Sequence, residues 1–241
     1  MMYKKKLILE PCHHMIYSSS KNYLSYFWLV VIATSFYSCS KPDKSGEAKV
    51  NTLFRLIDNK KSGIDFINQV DYTEEYNTYT YRNFYNGAGV GLGDINNDGL
   101  IDIYFAGNLV DNRLYLNKGN FQFEDITEKA GVSCKEVWST GISMVDVNGD
   151  GWLDIYVCKS GLMNTPHRNN ELFINNGNLK FTESSRQYGL DNVGLSTHAA
   201  FFDFDKDGDL DMYLLNNSPR SVSGYNKTKN QRKMRDPEGG N

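Results

Sequence analysis

The sequence predicts an all-β fold, a partial β-propeller of about three four-stranded blades with a signal peptide before it. Three observations lead there. An oxygen-rich pattern occurs three times, as "DINNDGLID" from Asp94, "DVNGDGWLD" from Asp146 and "DFDKDGDLD" from Asp203. Each copy runs on with apolar residues at every second place: Ile101, Ile103, Phe105; Leu153, Ile155, Val157; Leu210, Met212, Leu214. That is the period of a half-buried strand. The copies start 52 and 57 residues apart, a period that marks propellers or arrays.

The chain opens with a segment that does not belong to such a fold. Residues Tyr23 to Tyr37, "YLSYFWLVVIATSFY", follow Lys4, Lys5, Lys6 and Lys21. They are too few for a comfortable transmembrane helix and have the proportions of a signal-peptide apolar region. Residues 1–38 are therefore read as a signal peptide with a long basic start, for which Met15 is an alternative first residue. Residues 39–50, "CSKPDKSGEAKV", read as a polar tether, and 51–241 as the repeats.

The repeat region begins with "LFRLIDNKKSGIDF" (Leu53 to Phe66), which echoes "FEDITEKAGV" further on and predicts an outer strand of a blade. The full unit follows twice. "GVGLGD" and "GISMVD" are small and apolar in alternation, as a strand needs where backbones come close, and "HAAFFD" is a looser third copy. After each of the first two loops and its strand comes an asparagine and a short strand, "NRLYLNKGN" (Asn112 to Asn120) or "NELFINNGN" (Asn170 to Asn178). A last strand then runs toward Gly131 or Gly189. Four antiparallel strands per unit make a propeller blade. After the third loop the chain is polar and basic, and Asn241 stands where the next "xLYxN" strand is expected, so the sequence reads as ending in mid-blade.

Asp-Gly between apolar runs is first of all a hairpin signal. Turn geometry, however, does not ask for oxygen side chains at positions 1, 3, 5 and 9. A hard cation does, since calcium takes six to eight oxygens from a loop that curls around it. Position 6 is always glycine (Gly99, Gly151, Gly208), while position 7 varies freely, as suits a backbone carbonyl donor. Position 4 (Asn97, Gly149, Lys206) is expected to face solvent. The first site is assigned to Asp94, Asn96, Asp98, the carbonyl of Leu100, and Asp102. The second is Asp146, Asn148, Asp150, the carbonyl of Trp152, and Asp154. The third is Asp203, Asp205, Asp207, the carbonyl of Asp209, and Asp211, which gives about three calcium ions. An EF-hand is excluded, because it needs a bidentate Glu at position 12, here Phe105, Val157 and Leu214.

Composition narrows the function class. With 23% charged residues and a formal net charge of -3, neither a nucleic-acid binder nor a polybasic membrane surface is indicated. Cys134 and Cys158 make no disulfide framework, and Cys158 reads as a small buried hydrophobe. His198 takes the place of Gly89 and Gly141 and reads as a core or inter-blade histidine rather than a catalyst. His167 and Arg168 lie in a polar loop and are expected to be solvated.

The loops together with "GVGLGDINNDGLIDIYFAGN" and "NRLYLNKGNFQFEDITEKAGV" resemble the FG-GAP or VCBS repeat family, over about residues 51–241. Within it the chain looks most like bacterial lipoproteins and the cartilage-acidic-protein-like, ASPIC/UnbV-bearing group, though it has no ASPIC/UnbV segment. The resemblance implies a calcium-bearing propeller, usually of seven blades as in integrin α-subunits. "FYSC" similarly resembles a lipobox, with Phe36 in place of the usual leucine and Cys39 as the residue to be lipidated. The implied protein is a non-enzymatic propeller lipoprotein of a Gram-negative bacterium, membrane-anchored at the outer membrane or cell surface, with a glycan or surface-protein partner. The alternatives are an accessory part of a larger polysaccharide-active enzyme, or a truncated fragment without a function of its own.

Overall fold

The computed structural model describes residues 53–135, 137–162 and 166–218. The signal segment, Cys39, the tether and the expected mid-blade end lie outside them. Of the first of two compact units, Met1–Arg55, the described residues Leu53 to Arg55 carry no regular structure. All that follows concerns the second unit, up to Ser218.

Ten strands and two helical turns make up this unit. Sheet 1 is β1 (Val90–Gly93), β2 (Asp102–Phe105), β3 (Arg113–Asn117) and β4 (Phe123–Asp125). Sheet 2 repeats it as β5 (Ser139–Val145), β6 (Asp154–Lys159), β7 (Glu171–Asn175) and β8 (Phe181–Glu183). Both run in sequence order with every neighbouring pair antiparallel. Sheet 3 holds β9 (Ser196–Phe202) and β10 (Asp211–Asn216). Each oxygen-rich loop joins the first two strands of its sheet, as the sequence requires.

The outer edges differ from expectation. The echo between the N-terminal segment and "FEDITEKAGV" is one of helical turns: α1 (Asn59–Ser62) matches α2 (Thr127–Ala130), and each ends at a glycine, Gly63 or Gly131. The outer strand expected within Leu53 to Phe66 is not formed among the described residues. β4 likewise stops after three residues and gives way to α2.

The stack explains a second difference. Period two suggested that Ile101, Ile103 and Phe105 face the core, with the residues between them on the open side. Instead Asp102 and Tyr104 are 0% exposed, and all of β6 is buried. One cluster joins Tyr104, Leu114 and Leu116 of sheet 1 to Ile142, Ile155, Val157 and Phe173 of sheet 2. Another joins Tyr156, Cys158 and Leu172 of sheet 2 to Ala199, Phe201, Met212 and Leu214 of sheet 3. A sheet covered on both faces has no polar side to show.

The tyrosine after each loop is the pivot of this packing. The Tyr104 hydroxyl donates to the Val132 carbonyl and accepts from the Asn112 amide at 3.0 Å. Tyr156 does the same with the Leu190 carbonyl and Asn170, both at 2.9 Å. The two asparagines also accept from the Gly107 and Lys159 backbone N–H groups. Burial raises both phenols above their ordinary pKa, so they remain donors. Tyr213, at the same place in sheet 3, is 55% exposed, and the face it shares with Phe202 and Leu215 is open among the described residues.

Other expectations are corrected by tertiary contacts. Arg168 is buried, and its guanidinium donates to the carbonyls of Leu162, Val193 and Gly194. His167 is exposed, as expected, and His198 is exposed rather than in the core, lying between sheets against Gly141. Cys134 and Cys158 are free and buried. The Cys134 thiol donates to Glu171 Oε2 at 2.7 Å, and the fully buried Lys159 ammonium pairs with Glu171 Oε1 at 2.6 Å. Burial first, then the nearby Glu171 charge, pushes the Cys134 thiol well up in pKa, so it is held as an inert donor. No helix among the described residues is long and apolar enough to cross a membrane.

The first strands of the three sheets lie side by side at very close range. A methyl on Gly89 would stand 2.5 Å from the Thr140 carbonyl oxygen, and one on Gly141 would stand 2.8 Å from His198 Cα. Only a residue without Cβ fits there. Gly141→Ala is expected to destabilise the protein by about 1–3 kcal/mol, the usual cost of overpacking. Urea unfolding measures it, and a midpoint equal to the parent's would contradict the close approach.

Candidate metal centre

The loops are built by their own carboxylates. Asp94 at position 1 accepts from the backbone N–H of Asn96, Asp98 and Gly99, the last at 2.7 Å. Asp146 accepts from Asp150 and Gly151, and Asp203 from Gly208. Position 5 caps position 7: Leu100, Trp152 and Asp209 donate their N–H to Asp98, Asp150 and Asp207. The amides of Asn96 and Asn148 at position 3 donate to the position-5 carboxylates at 2.9 and 2.8 Å. Positions 4 and 6 are left-handed in every copy, with φ of 57°, 70° and 64° at Asn97, Gly149 and Lys206, and 83°, 89° and 101° at the glycines. This double reversal folds the oxygens of positions 1, 3 and 5 toward one side.

Position 9 has a role that its spacing did not announce. Asp102 Oδ2 accepts from Ile95 N–H at 2.9 Å, inside its own loop, and Oδ1 accepts from Asn117 N–H at 2.7 Å, on the third strand. Asp154 repeats this with Val147 at 3.0 Å and Asn175 at 2.8 Å. Burial raises the pKa of both carboxyls; the two N–H donors pull it back, and the charges at positions 5 and 1 push it up again. A divalent cation among these oxygens would reverse that last effect.

The third loop alone carries a carboxylate at position 3, Asp205, where the first two have Asn96 and Asn148. Among the described residues, the group of three carboxylates whose oxygens lie within 4.8 Å of one another is Asp203, Asp205 and Asp211. Asp211 accepts from Phe204 at 2.9 Å and has no third-strand donor among the described residues, which leaves its other oxygen for the group. Asp207 stands outside it and accepts from the Asp209 backbone N–H at 3.2 Å, which lowers its pKa, while the neighbouring Asp207 carboxyl raises that of Asp209. The carbonyls of Leu100, Trp152 and Asp209 accept no hydrogen bond from the described residues. The donor set is all oxygen, which fits a hard cation such as calcium.

Two asparagines complete the site. The Asn117 amide donates to the Ile101 carbonyl at 2.8 Å. The Asn175 amide donates to the Leu153 carbonyl of its own loop at 3.1 Å and to Ile95 of the first loop at 2.8 Å. Asn97 is exposed, as expected, and also donates across to the Gly151 carbonyl at 3.0 Å, so the first two loops touch through position 4 as well. The signal for Asn117 and Asn175 was present, since both end their strand in "LYLN" and "LFIN".

Replacing the buried Asn175 by Ala leaves the Ile95 carbonyl without its donor, an unsatisfied group that costs about 1–3 kcal/mol. Asn176→Ala, exposed next door, is expected to change stability by less than about 0.5 kcal/mol. Equal unfolding midpoints for the two variants would show that Asn175 does not hold the loops together.

With this geometry in hand, the likeness to known proteins can be placed. A family described as FG-GAP-like repeat matches residues 66–157 and 162–214, which cover all three loops. Cartilage acidic protein 1 of Xenopus tropicalis is 30% identical over 175 residues, 71% of this chain and 25% of that protein. Its namesake in Mus musculus is 31% identical over 138 residues, 57% of this chain and 21% of that protein. The chain thus spans about a quarter of the length of the curated relatives it matches. The sheet order, the phased loops and the extent of the family match agree: this chain belongs to the FG-GAP-like repeat family.

Proposed function

We propose that this protein is a calcium-binding, non-enzymatic β-propeller lipoprotein outside the cytoplasm, which presents its loops to a glycan or a surface protein. The observation behind this is the triplicated all-oxygen loop, with Asp203, Asp205 and Asp211 already converged. In the first loop Asp94, Asn96, Asp98, Asp102 and the Leu100 carbonyl would hold the ion. In the second Asp146, Asn148, Asp150, Asp154 and the Trp152 carbonyl would do so. In the third Asp203, Asp205, Asp207, Asp211 and the Asp209 carbonyl would do so. The ion would neutralise carboxylates that repel one another, so its binding energy would add to folding energy.

A non-enzymatic role is supported by how the carboxylates are used. In the first two loops the carboxylates at positions 1 and 9 are tied to backbone N–H groups in a pattern that repeats from sheet 1 to sheet 2, which is the use of a structural loop rather than of a general acid or base. An extracytoplasmic place is supported by the family and by the signal-like segment before Cys39.

Removing calcium with a chelator is expected to lower the melting temperature by several degrees, because a site held at 100 times its Kd adds about 2.7 kcal/mol. Asp150→Ala is expected to release about one ion per chain, counted by equilibrium dialysis, since it removes a ligand of one loop alone. Superimposable melting curves with and without calcium would end the metal assignment. Expression of Cys39→Ser in a Gram-negative host is expected to move the protein from the membrane to the soluble extracytoplasmic fraction. A variant that stays in the membrane would rule out Cys39 as the anchor.

A further inference from the structure

The first strands of the sheets border a cleft of about 350 Å³, within the roughly 300–1,000 Å³ range of ligand pockets. Gly89 and Gly141, which let the strands approach, form part of its wall. At the third such place the chain has His198, and its Nδ1 lies where a side chain on Gly141 would have to go, 2.7 Å from the Cβ position. The imidazole therefore occupies room that the glycines of the other repeats leave open.

The chemistry of the cleft is uniform. No carboxylate, ammonium or guanidinium lines it among the described residues. The hydroxyls of Thr140 and Thr197 are already used, donating to the carbonyls of Cys158 and Ser196 and of Leu215. The side chains of Asn86, His198 and Asn217 are not: none makes a hydrogen bond to the described residues. On one side Trp138 is fixed by a stacked Tyr76 at 5.6 Å and an edge-on Tyr81 at 4.9 Å, so the apolar part of the wall is rigid.

We propose that this cleft is a binding site for a neutral, hydroxyl-rich ligand, a saccharide, held by Asn86, His198 and Asn217. Two amides and an imidazole lining one cleft offer both donors and acceptors, the mixture that sugar hydroxyls present in return. A charged ligand would leave water with no opposite charge to meet it, which is costly. The substitution of histidine for glycine places a polar group where the repeat otherwise has none. This inference rests on the binding-module reading above and gives it a site.

The test uses the full chain in calcium, with saturation-transfer NMR and calorimetry. The probes are glucose, galactose, mannose, N-acetylglucosamine and their disaccharides, with glucuronate and glucosamine as charged counterparts. At least one neutral sugar is expected to bind. His198→Gly, which restores the repeat, and Asn86→Ala are each expected to weaken it about tenfold, the worth of one hydrogen bond of about 1.4 kcal/mol. The melting temperature of Asn86→Ala is expected to match the parent's, since that side chain bonds to no described residue, while His198→Gly is expected to melt a few degrees lower, the cost of glycine inside a strand, and still to be folded at the temperature of the binding measurement. A neutral sugar bound equally well by the parent and both variants would overturn the cleft assignment and leave the binding-module reading standing. Preference for a charged sugar, or no binding at all, would overturn the saccharide site. A glycan array that is also negative throughout would remove the glycan arm of the broader reading.

Discussion

A carboxylate with no exposed surface holds each loop of the first two repeats to its sheet. Asp102 and Asp154 stand at the end of a loop and the start of a strand, and each divides its oxygens between the loop and the third strand. Loop closure and sheet register are thereby fixed by one side chain. An ionised group buried this way is tolerable because both oxygens are satisfied by N–H donors. It also couples the two halves of the repeat, since any ion seated against position 9 would act directly on the strand order behind it.

The sheets are held together by a second, apolar constraint. Sheet 2 is buried on both faces, and its interfaces are locked by Tyr104 and Tyr156, whose hydroxyls reach backbone carbonyls past the edge of their own sheet. Between sheets 1 and 2 there is also the Lys159, Glu171 and Cys134 cluster. Removing one member of such a buried pair would strand a charge, so the cluster narrows the ways the sheets can sit on each other more than it adds stability.

Much of this was legible because it is local. Asp-Gly within an oxygen-rich run, followed by alternate apolar residues, gave the loops, the hairpins around them and the order of strands. On β10 the alternation was right, since Met212 and Leu214 pack inward, but on β2 and β6 it was not enough, because period two cannot distinguish one covered face from two. Arg168 looked solvated since its partners are backbone carbonyls up to 26 residues away, which leave no mark in the sequence. The cluster of Tyr76, Tyr81, Phe84 and Trp138 belongs to no repeat, so phasing could not reveal it. Asn117 and Asn175 could have been found, as their place recurs, but an asparagine at a strand end reads as turn chemistry.

The bond from Asn175 to the Ile95 carbonyl crosses from one repeat to the one before it, and the bond from Asn97 to the Gly151 carbonyl crosses back. In both the acceptor is main chain, so the stitch depends on the identity of one partner only. A recombination joint placed between Asn117 and Ser139 would preserve each crossing as long as the incoming module brings its own asparagine, whatever loop letters it meets. At these two points the seam therefore tolerates drift at the acceptors Ile95 and Gly151 but not at the donors Asn175 and Asn97.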